Sequence, residues 1–167
     1  VVFQMYKIFV NNGFSTIRFN FRGVGKSIGN FDDGEGELSD AASVLDWLQQ
    51  YNTNSKIVWV AGFSFGAWVA MQLLMRRPEI NGFVSVSPPA NLRDFSFLSP
   101  CPSSGLIVHG DKDNIASFES TKILSEKLQK QKKQDIIFKP IKGADHFYEN
   151  YKDQFTEIVN NYIKEQL

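Results

Sequence analysis

The chain of 167 residues carries 18 Lys plus Arg against 18 Asp plus Glu, so its formal net charge is zero. This balance offers no electrostatic excess for binding nucleic acid or an anionic membrane surface, and we expect neither partner. The single cysteine, Cys101, excludes an intramolecular disulfide and a multi-cysteine metal cluster, and we expect it to be an inert thiol in a reducing compartment.

The length fits one domain over residues 1–167. No apolar run approaches the ~20 residues of a membrane span, and the first residues lack a basic leader and a cleavage site. The sequence therefore predicts a cytoplasmic location.

The first half of the chain predicts a helix, a strand and a second helix. The helical face of the N-terminal segment is apolar: Val2, Phe3, Tyr6, Phe9, Val10. The stretch "STIRFNF" (15–21) alternates apolar and polar residues and predicts a strand. A glycine-rich loop then leads to a helix over 38–51, whose apolar residues recur at helical spacing.

The remaining chain alternates strands and helices. Strands are predicted at 56–62, 80–87, 105–110 and 135–141, and helices at 67–77, 117–131 and Glu149–Glu165. Such alternation indicates an α/β fold, with a predominantly parallel sheet flanked by helices on both faces. Active sites in these sheets lie beyond the carboxyl ends of the strands, so the loops that follow strands are the places to seek chemistry.

The pentapeptide Gly62-Phe63-Ser64-Phe65-Gly66 matches G-x-S-x-G, the pattern of a nucleophile elbow. It follows the most hydrophobic strand and begins a helix, as that geometry requires. A serine held in a tight strand-to-helix turn presents its Oγ to the cleft, and the glycines let the neighbouring backbone pass closely. We predict that Ser64 is the nucleophile and that the free backbone N–H of Phe65 stabilises an oxyanion.

A serine nucleophile needs a general base, and the chain has two histidines. His146 lies in "KGADHFYEN", after the last predicted strand, where a loop can carry an imidazole over the sheet. His109 ends the predicted strand "GLIVHG", a position more typical of a structural hydrogen bond. We predict that His146 is the base, with His109 as the alternative.

The base in turn needs a carboxylate to orient it. The loop "HGDKDNIA" offers Asp111 and Asp113. Asp113 suits the role better, while Asp111 could instead cap the turn. Asp145 adjoins His146, and because the side chains of neighbouring residues diverge, we expect it to be a loop residue.

The stretches "GFSFGA", "HGDKD" and "GADHF", in that order, resemble the α/β-hydrolase superfamily, whose members share the order Ser, Asp, His. More narrowly, "FNFRGVGKSIGNFDDGEGE" and "RDFSFLSPCP" resemble small bacterial hydrolases related to dienelactone hydrolases and serine esterases. The resemblance covers essentially the whole chain. It implies a serine hydrolase that acts on a small ester-like substrate without a cofactor or metal.

The resemblance also implies a strand and an oxyanion loop before the first helix, neither of which this sequence contains. That strand would lie between 15–21 and 56–62, so the sheet should have a gap or the two strands should pair directly. The loop would supply a second oxyanion N–H. The alternative hypothesis is therefore a weak or inactive hydrolase-like remnant that acts as a binding domain.

Two further features of the sequence yield expectations. Five aromatic residues could line an open cleft, although we expect at least half of them to be core residues: Phe63, Phe65, Phe95, Phe97, Phe147. The loop "GVGKS" suggests nucleotide binding, but a Walker A loop needs glycine where this chain has Asn20, and the dinucleotide fingerprint needs glycine at Ile28. We do not expect a nucleotide site.

Overall fold

The computed structural model describes residues 1–167 and contains one four-stranded sheet. The strands are β1 (Trp59–Phe63), β2 (Gly82–Val86), β3 (Ser104–Gly110) and β4 (Ile136–Ile141). Their spatial order is β1-β2-β3-β4, and each neighbouring pair is parallel. The helices are α1 (Val2–Asn11), α2 (Glu35–Tyr51), α3 (Phe65–Arg76), α4 (Phe118–Lys130) and α5 (Lys152–Gln166). The predicted parallel α/β architecture is confirmed.

Two hydrophobic clusters cover the two faces of the sheet. Successive residues of β2 and β3 point to opposite faces, so Phe83 and Ile107 enter one cluster while Val84 and Leu106 enter the other. The first cluster is completed by α2, α3 and α4, with Leu45, Val69, Leu73 and Leu124. The second is completed by α1 and α5, with Met5, Phe9, Phe155 and Val159. Covered on both sides, the central strands are almost wholly buried, as their near-continuous apolar sequences indicate.

The predicted strand over 15–21 is wrong. These residues have no regular secondary structure and make no backbone–backbone hydrogen bond through residues 15–20, and β1 is the edge strand of the sheet. A cavity of about 1160 Å³ lies between this segment and β1, and both contribute to its lining. Of the two expected outcomes, the sheet therefore has a gap rather than a direct pairing. A strand needs a partner for its ladder, and alternating sequence cannot supply one.

Side-chain contacts, instead of the backbone hydrogen bonds of a strand, hold the segment 15–21 in position. Phe21 packs edge-on against Phe65 of α3, with ring centroids 5.9 Å apart. Arg18 lies over the ring of Phe3, 5.0 Å from its centroid. At the end of the segment, the Arg22 guanidinium donates to Asp40 of α2 at 2.8 Å. The segment thus rests on three helices without joining the sheet.

Several element boundaries differ from those predicted. The helix predicted over 38–51 begins at Glu35, because the buried Glu37 carboxylate accepts the N–H groups of Asp32 and Gly34 at 2.9 and 2.8 Å. Burial would raise the pKa of Glu37, but these hydrogen bonds lower it below its ordinary value. The last helix begins at Lys152 instead of 149, since a turn at Tyr148 precedes it. None of the helices combines the length and the apolar character that crossing a membrane requires.

We predict that amide hydrogen exchange will be faster in the segment 15–20 than in the strands of the sheet. The amides of 15–20 make no backbone hydrogen bond, so they should exchange rapidly, whereas those of β2 should be strongly protected. Exchange followed by mass spectrometry of peptides covering 15–20 and 82–86 measures both in one sample. Equal protection of the two peptides would mean that 15–20 does belong to a sheet.

Candidate active site

Ser64 occupies a strained turn between β1 and α3. Its backbone has φ 53° and ψ −123°, a region that residues with a side chain rarely adopt. The Ser64 N–H donates to the carbonyl of Val86, the last residue of β2, at 2.9 Å. The surrounding sheet therefore stabilises a conformation that an isolated turn would avoid.

Only the first of the two elbow glycines is required by close packing. A Cβ on Gly62 would overlap the Gly66 carbonyl and lie 2.7 Å from the Cα of Ala67, so α3 could not begin where it does. A Cβ on Gly66 would meet nothing nearer than a ring carbon of Phe21 at 3.9 Å. The sequence pattern attributes the same role to both glycines, but the structure separates them.

A continuous hydrogen-bond chain links three of the predicted site residues. His146 Nε2 lies 3.0 Å from Ser64 Oγ, and His146 Nδ1 lies 2.7 Å from Asp113 Oδ2. Because Nδ1 faces a carboxylate, it carries a proton and donates it, which leaves Nε2 as an acceptor for the serine hydroxyl. Ser64, Asp113 and His146 come from the ends of β1, β3 and β4, and their side chains meet at one edge of the sheet.

Close packing joins the loops that carry Asp113 and His146. A Cβ on Gly110 would overlap the carbonyl of Ala144, and Lys112 N–H donates to that same carbonyl at 3.0 Å. Asp111 binds across the two loops, with its Oδ1 accepting the N–H of Gly143 at 2.6 Å. Asp111, the alternative to Asp113 in the sequence analysis, therefore connects the two loops and makes no hydrogen bond to the imidazole of His146.

Asp145 accepts the backbone N–H of Glu149 at 3.3 Å, so its carboxylate caps the local turn. It makes no hydrogen bond to the neighbouring imidazole.

The side chain of Asp113 is fully enclosed, and its charge is satisfied from several sides. Its Oδ1 accepts the backbone N–H groups of Ile115 and Ala116, each at 2.9 Å. Burial alone would raise the pKa of Asp113, but the hydrogen bonds from His109, His146 and these two N–H groups lower it far below its ordinary value. The carboxylate therefore stays ionised whenever the protein is folded at ordinary pH.

His109, the alternative base, does not face the serine. Its imidazole is completely buried, and its Nε2 lies 3.0 Å from the carbonyl of Ala116 and 3.3 Å from Asp113 Oδ2. Sequence reasoning set this residue aside as structural and missed its contact with the carboxylate. The available signal was its spacing, four residues before Asp113 at a strand end.

The backbone N–H of Phe65 stands at the start of α3, directly after Ser64, and donates to no protein oxygen. The positive end of the helix dipole lies at this point. The group is thus available to an anion next to Ser64 Oγ.

The five aromatic candidates divide between the site and the core. The rings of Phe63 and Phe147 flank His146, with centroids 4.8 and 5.2 Å from the imidazole, and Phe147 is exposed. Phe65 adjoins Ser64 in sequence and is half-buried. Phe95 is a core residue, and Phe97 packs against the same core.

Two other features have ordinary environments. Cys101 is buried, and burial raises the pKa of its thiol, which suits an unreactive residue. The "GVGKS" loop ends at Ser27, whereas the next helix begins at Glu35, so its backbone does not lead into a helix N-terminus as a phosphate-binding loop does.

Comparison with known proteins gives the family. Residues 2–163 match the family model of X-Pro dipeptidyl-peptidase (S15 family). The chain belongs to the S15 family of α/β hydrolases. It is 51% identical to the uncharacterised protein RP471 of Rickettsia prowazekii (strain Madrid E), over 98% of this chain and 70% of that protein. The crystal structure of ATU1826 from Agrobacterium tumefaciens, described as an α/β hydrolase of unknown function, superposes with a TM-score of 0.96 at 52% identity, covering 99% of this chain and 76% of that one.

More distant α/β hydrolases with an assigned activity are also similar. The lysophosphatidylserine lipase ABHD12 of Xenopus tropicalis is 25% identical over 96% of this chain. The match covers 52% of ABHD12, so the chain spans about half the length of that relative. Membership of the superfamily confirms the resemblance seen in the sequence motifs.

The two elbow glycines of this hydrolase form a matched pair for mutation. Gly62→Ala should lower the free energy of unfolding by at least about 2 kcal/mol, because the new methyl group overlaps backbone. Gly66→Ala adds only an ordinary van der Waals contact with the ring of Phe21 inside a helix, where alanine is intrinsically favoured by about 1 kcal/mol, and should not destabilise. Urea unfolding measures both, and equal losses would contradict the assignment.

Proposed function

We propose that this protein is a serine hydrolase that cleaves an ester-like bond, carboxylic ester, thioester or lactone, through an acyl-enzyme. The observation that supports this most strongly is the continuous chain from Ser64 Oγ through His146 to Asp113, at 3.0 and 2.7 Å. A merely structural serine in a strained turn would not need an imidazole held by a buried carboxylate.

In the first half of the reaction, Ser64 Oγ attacks the substrate carbonyl carbon while His146 Nε2 takes the hydroxyl proton. A C–O bond forms, the carbonyl oxygen becomes negative, and the resulting imidazolium is stabilised by Asp113. His146 then gives its proton to the leaving alcohol or thiol as the bond to that group breaks. The acyl group remains on Ser64 Oγ.

In the second half, a water molecule takes the place of the leaving group. His146 Nε2 removes a proton from this water as it attacks the acyl carbon, and returns a proton to Ser64 Oγ when the ester bond breaks. The products are a carboxylic acid and the free serine. Because the pKa of Asp113 is so low, the carboxylate that orients His146 stays charged throughout the cycle.

The oxyanion is stabilised by the free N–H of Phe65. Loss of one such donor typically costs about 2.7 to 4 kcal/mol of transition-state stabilisation. The second candidate is a catalytically weak or inactive hydrolase-like domain that acts in binding. The two candidates differ in turnover and not in the arrangement of the three side chains.

The surroundings of the site support a substrate with an apolar part. Phe63 and the exposed Phe147 flank His146, so an acyl or alkyl chain would contact aromatic surface near the reacting atoms. The lipase name of ABHD12 agrees with an ester of a long acyl chain, whereas the name of the S15 model points to a peptide bond after proline. We therefore expect p-nitrophenyl acyl esters to be cleaved in preference to an X-Pro p-nitroanilide.

The test is a panel of p-nitrophenyl esters with acyl chains of increasing length, with the anilide alongside. We expect ester turnover that falls at least about 10⁴-fold in Ser64→Ala, with stoichiometric labelling of Ser64 by a fluorophosphonate in the parent protein only. Turnover that survives in Ser64→Ala would overturn the nucleophile assignment. Fluorophosphonate labelling without turnover would favour the weak hydrolase-like domain.

A second prediction isolates the backbone donor. Phe65→Pro removes the N–H at the first position of α3 and should lower kcat about 10²-fold or more with a small change in KM, in a variant whose melting temperature matches that of Phe65→Ala. Phe65→Ala loses the same ring but keeps the N–H, so it is the matched control. Equal kcat values for the two variants would show that this N–H does not bind the oxyanion.

A further inference from the structure

A second histidine lies behind the hydrogen-bond chain, in contact with its carboxylate. His109 belongs to β3, whose end carries the Asp113 loop, and its side chain is fully enclosed. Its Nε2 faces two oxygens, the Ala116 carbonyl at 3.0 Å and Asp113 Oδ2 at 3.3 Å. The proposed reaction assigns no task to this residue.

The surroundings of His109 determine which of its nitrogens carries the proton. Nε2 has two acceptors within reach, whereas Nδ1 is buried and has no hydrogen-bond partner. A proton on Nδ1 would leave a buried N–H without an acceptor and would set the Nε2 lone pair against two oxygens. The geometry therefore requires the neutral imidazole with Nε2–H.

The hydrogen bonds of His109 close a ring around the turn that holds Asp113. Ala116 donates its N–H to Asp113 Oδ1 and offers its carbonyl to His109 Nε2. Through the same proton, His109 also approaches Asp113 Oδ2, the oxygen that accepts from His146. The turn is thus fixed to β3 by a side chain of β3 itself.

We propose that His109 is a positioning residue for Asp113, in which one Nε2–H, shared between the Ala116 carbonyl and Oδ2, fixes the carboxylate that orients His146. This inference rests on the proposed hydrolase function, because it assigns a task within the same site. His109 transfers no proton and does not touch the substrate.

Packing alone does not account for an imidazole at this position. The ring meets Phe118 edge-on at 6.0 Å, a contact that an apolar side chain would make equally well. The imidazole also leaves Nδ1 unpaired in the interior, which an apolar side chain would avoid at no loss of burial. What the imidazole adds is a donor, Nε2–H, that bonds the Ala116 carbonyl and lies 3.3 Å from the Asp113 carboxylate.

Three ionisable side chains surround Asp113. His146 donates to Oδ2, His109 Nε2 lies 3.3 Å from the same oxygen, and Tyr148 hydrogen-bonds Ser87 through its hydroxyl at 2.7 Å. Burial raises the pKa of Tyr148, to which the nearby charge of Asp113 contributes, so this phenol stays neutral. Around the site, only His146 needs to change its charge during the reaction.

The test uses two amides of different reach. In His109→Gln the amide nitrogen takes the place of Nε2 and can donate, whereas in His109→Asn it takes the place of Nδ1 and is too short. Phe118→Leu alters the packing against the ring but leaves the donor in place. For each, kcat and KM are measured with the best ester of the panel, and the low-field proton NMR signal of the His146–Asp113 hydrogen bond is recorded.

We expect His109→Asn to lower kcat about tenfold with little change in KM, and to shift or broaden the low-field signal. His109→Gln and Phe118→Leu should keep both kcat and the signal close to those of the parent. If His109→Asn and His109→Gln lose kcat equally, and the losses parallel their melting temperatures, the proposal is overturned and His109 serves only in packing. An Asn variant with the parent's kcat and signal would also overturn it.

One measurement needs neither a variant nor catalysis. Long-range ¹H–¹⁵N correlation spectra of the parent protein report the tautomer of each histidine at neutral pH. The proposal requires Nε2–H on His109 and Nδ1–H on His146, and a proton on Nδ1 of His109 would exclude it. If no ester is cleaved, the proposed function fails, while the tautomers still decide whether His109 donates to Asp113.

Discussion

The parallel register of four strands is the constraint on which the site depends. Phe63 lies opposite Val86, Val86 opposite Val108, and Gly110 opposite Ile141, so the carboxyl ends of all four strands reach the same edge. The loops that leave this edge after β1, β3 and β4 share the space above it. The three polar side chains meet there although up to 82 residues separate them in the chain.

Two close approaches between backbone segments hold the loops at the carboxyl ends of the strands in fixed positions. At Gly62, the missing Cβ lets the start of α3 pass beside β1 and imposes the strained conformation of Ser64. At Gly110, the missing Cβ lets the loop of His146 rest on the end of β3. At each of these two glycines, a neighbouring backbone segment occupies the place that a Cβ would need. A substitution there would therefore disturb both the fold and the site.

The site is electrostatically asymmetric. On its inner side, Asp113 is enclosed by backbone and side-chain donors that keep it ionised. On its outer side, His146 lies between Phe63 and the exposed Phe147, where a substrate can approach. In the proposed reaction, the fixed negative charge behind the imidazole stabilises the imidazolium, and the apolar surface in front of it faces the substrate.

Local sequence was sufficient for the elements whose partners follow them in the chain. Strands β1 to β4 pair with their neighbours in sequence order, so apolar runs and turn signals predicted them and the edge at which Ser64 and His146 meet. The choice between Asp111 and Asp113 needed coordinates, because it depends on which carboxylate the turn directs inward. The second contact of His109 was missed for the same reason, since a buried side chain's partners lie across the fold.

The wrong prediction of a strand at 15–21 shows the limit of reasoning from local sequence. The same segment also connects the edge strand β1 with the surroundings of Ser64. The alternation of apolar and polar residues at 15–21 is typical of a strand. However, a cavity separates the segment from β1, so the two form no backbone hydrogen bonds. The segment is instead held through Phe21, which packs on Phe65, while Phe31 of the following loop packs on the same ring. Because Phe65 also carries the free N–H beside Ser64, the packing along the open side of β1 and the position of the proposed oxyanion donor are coupled through one residue.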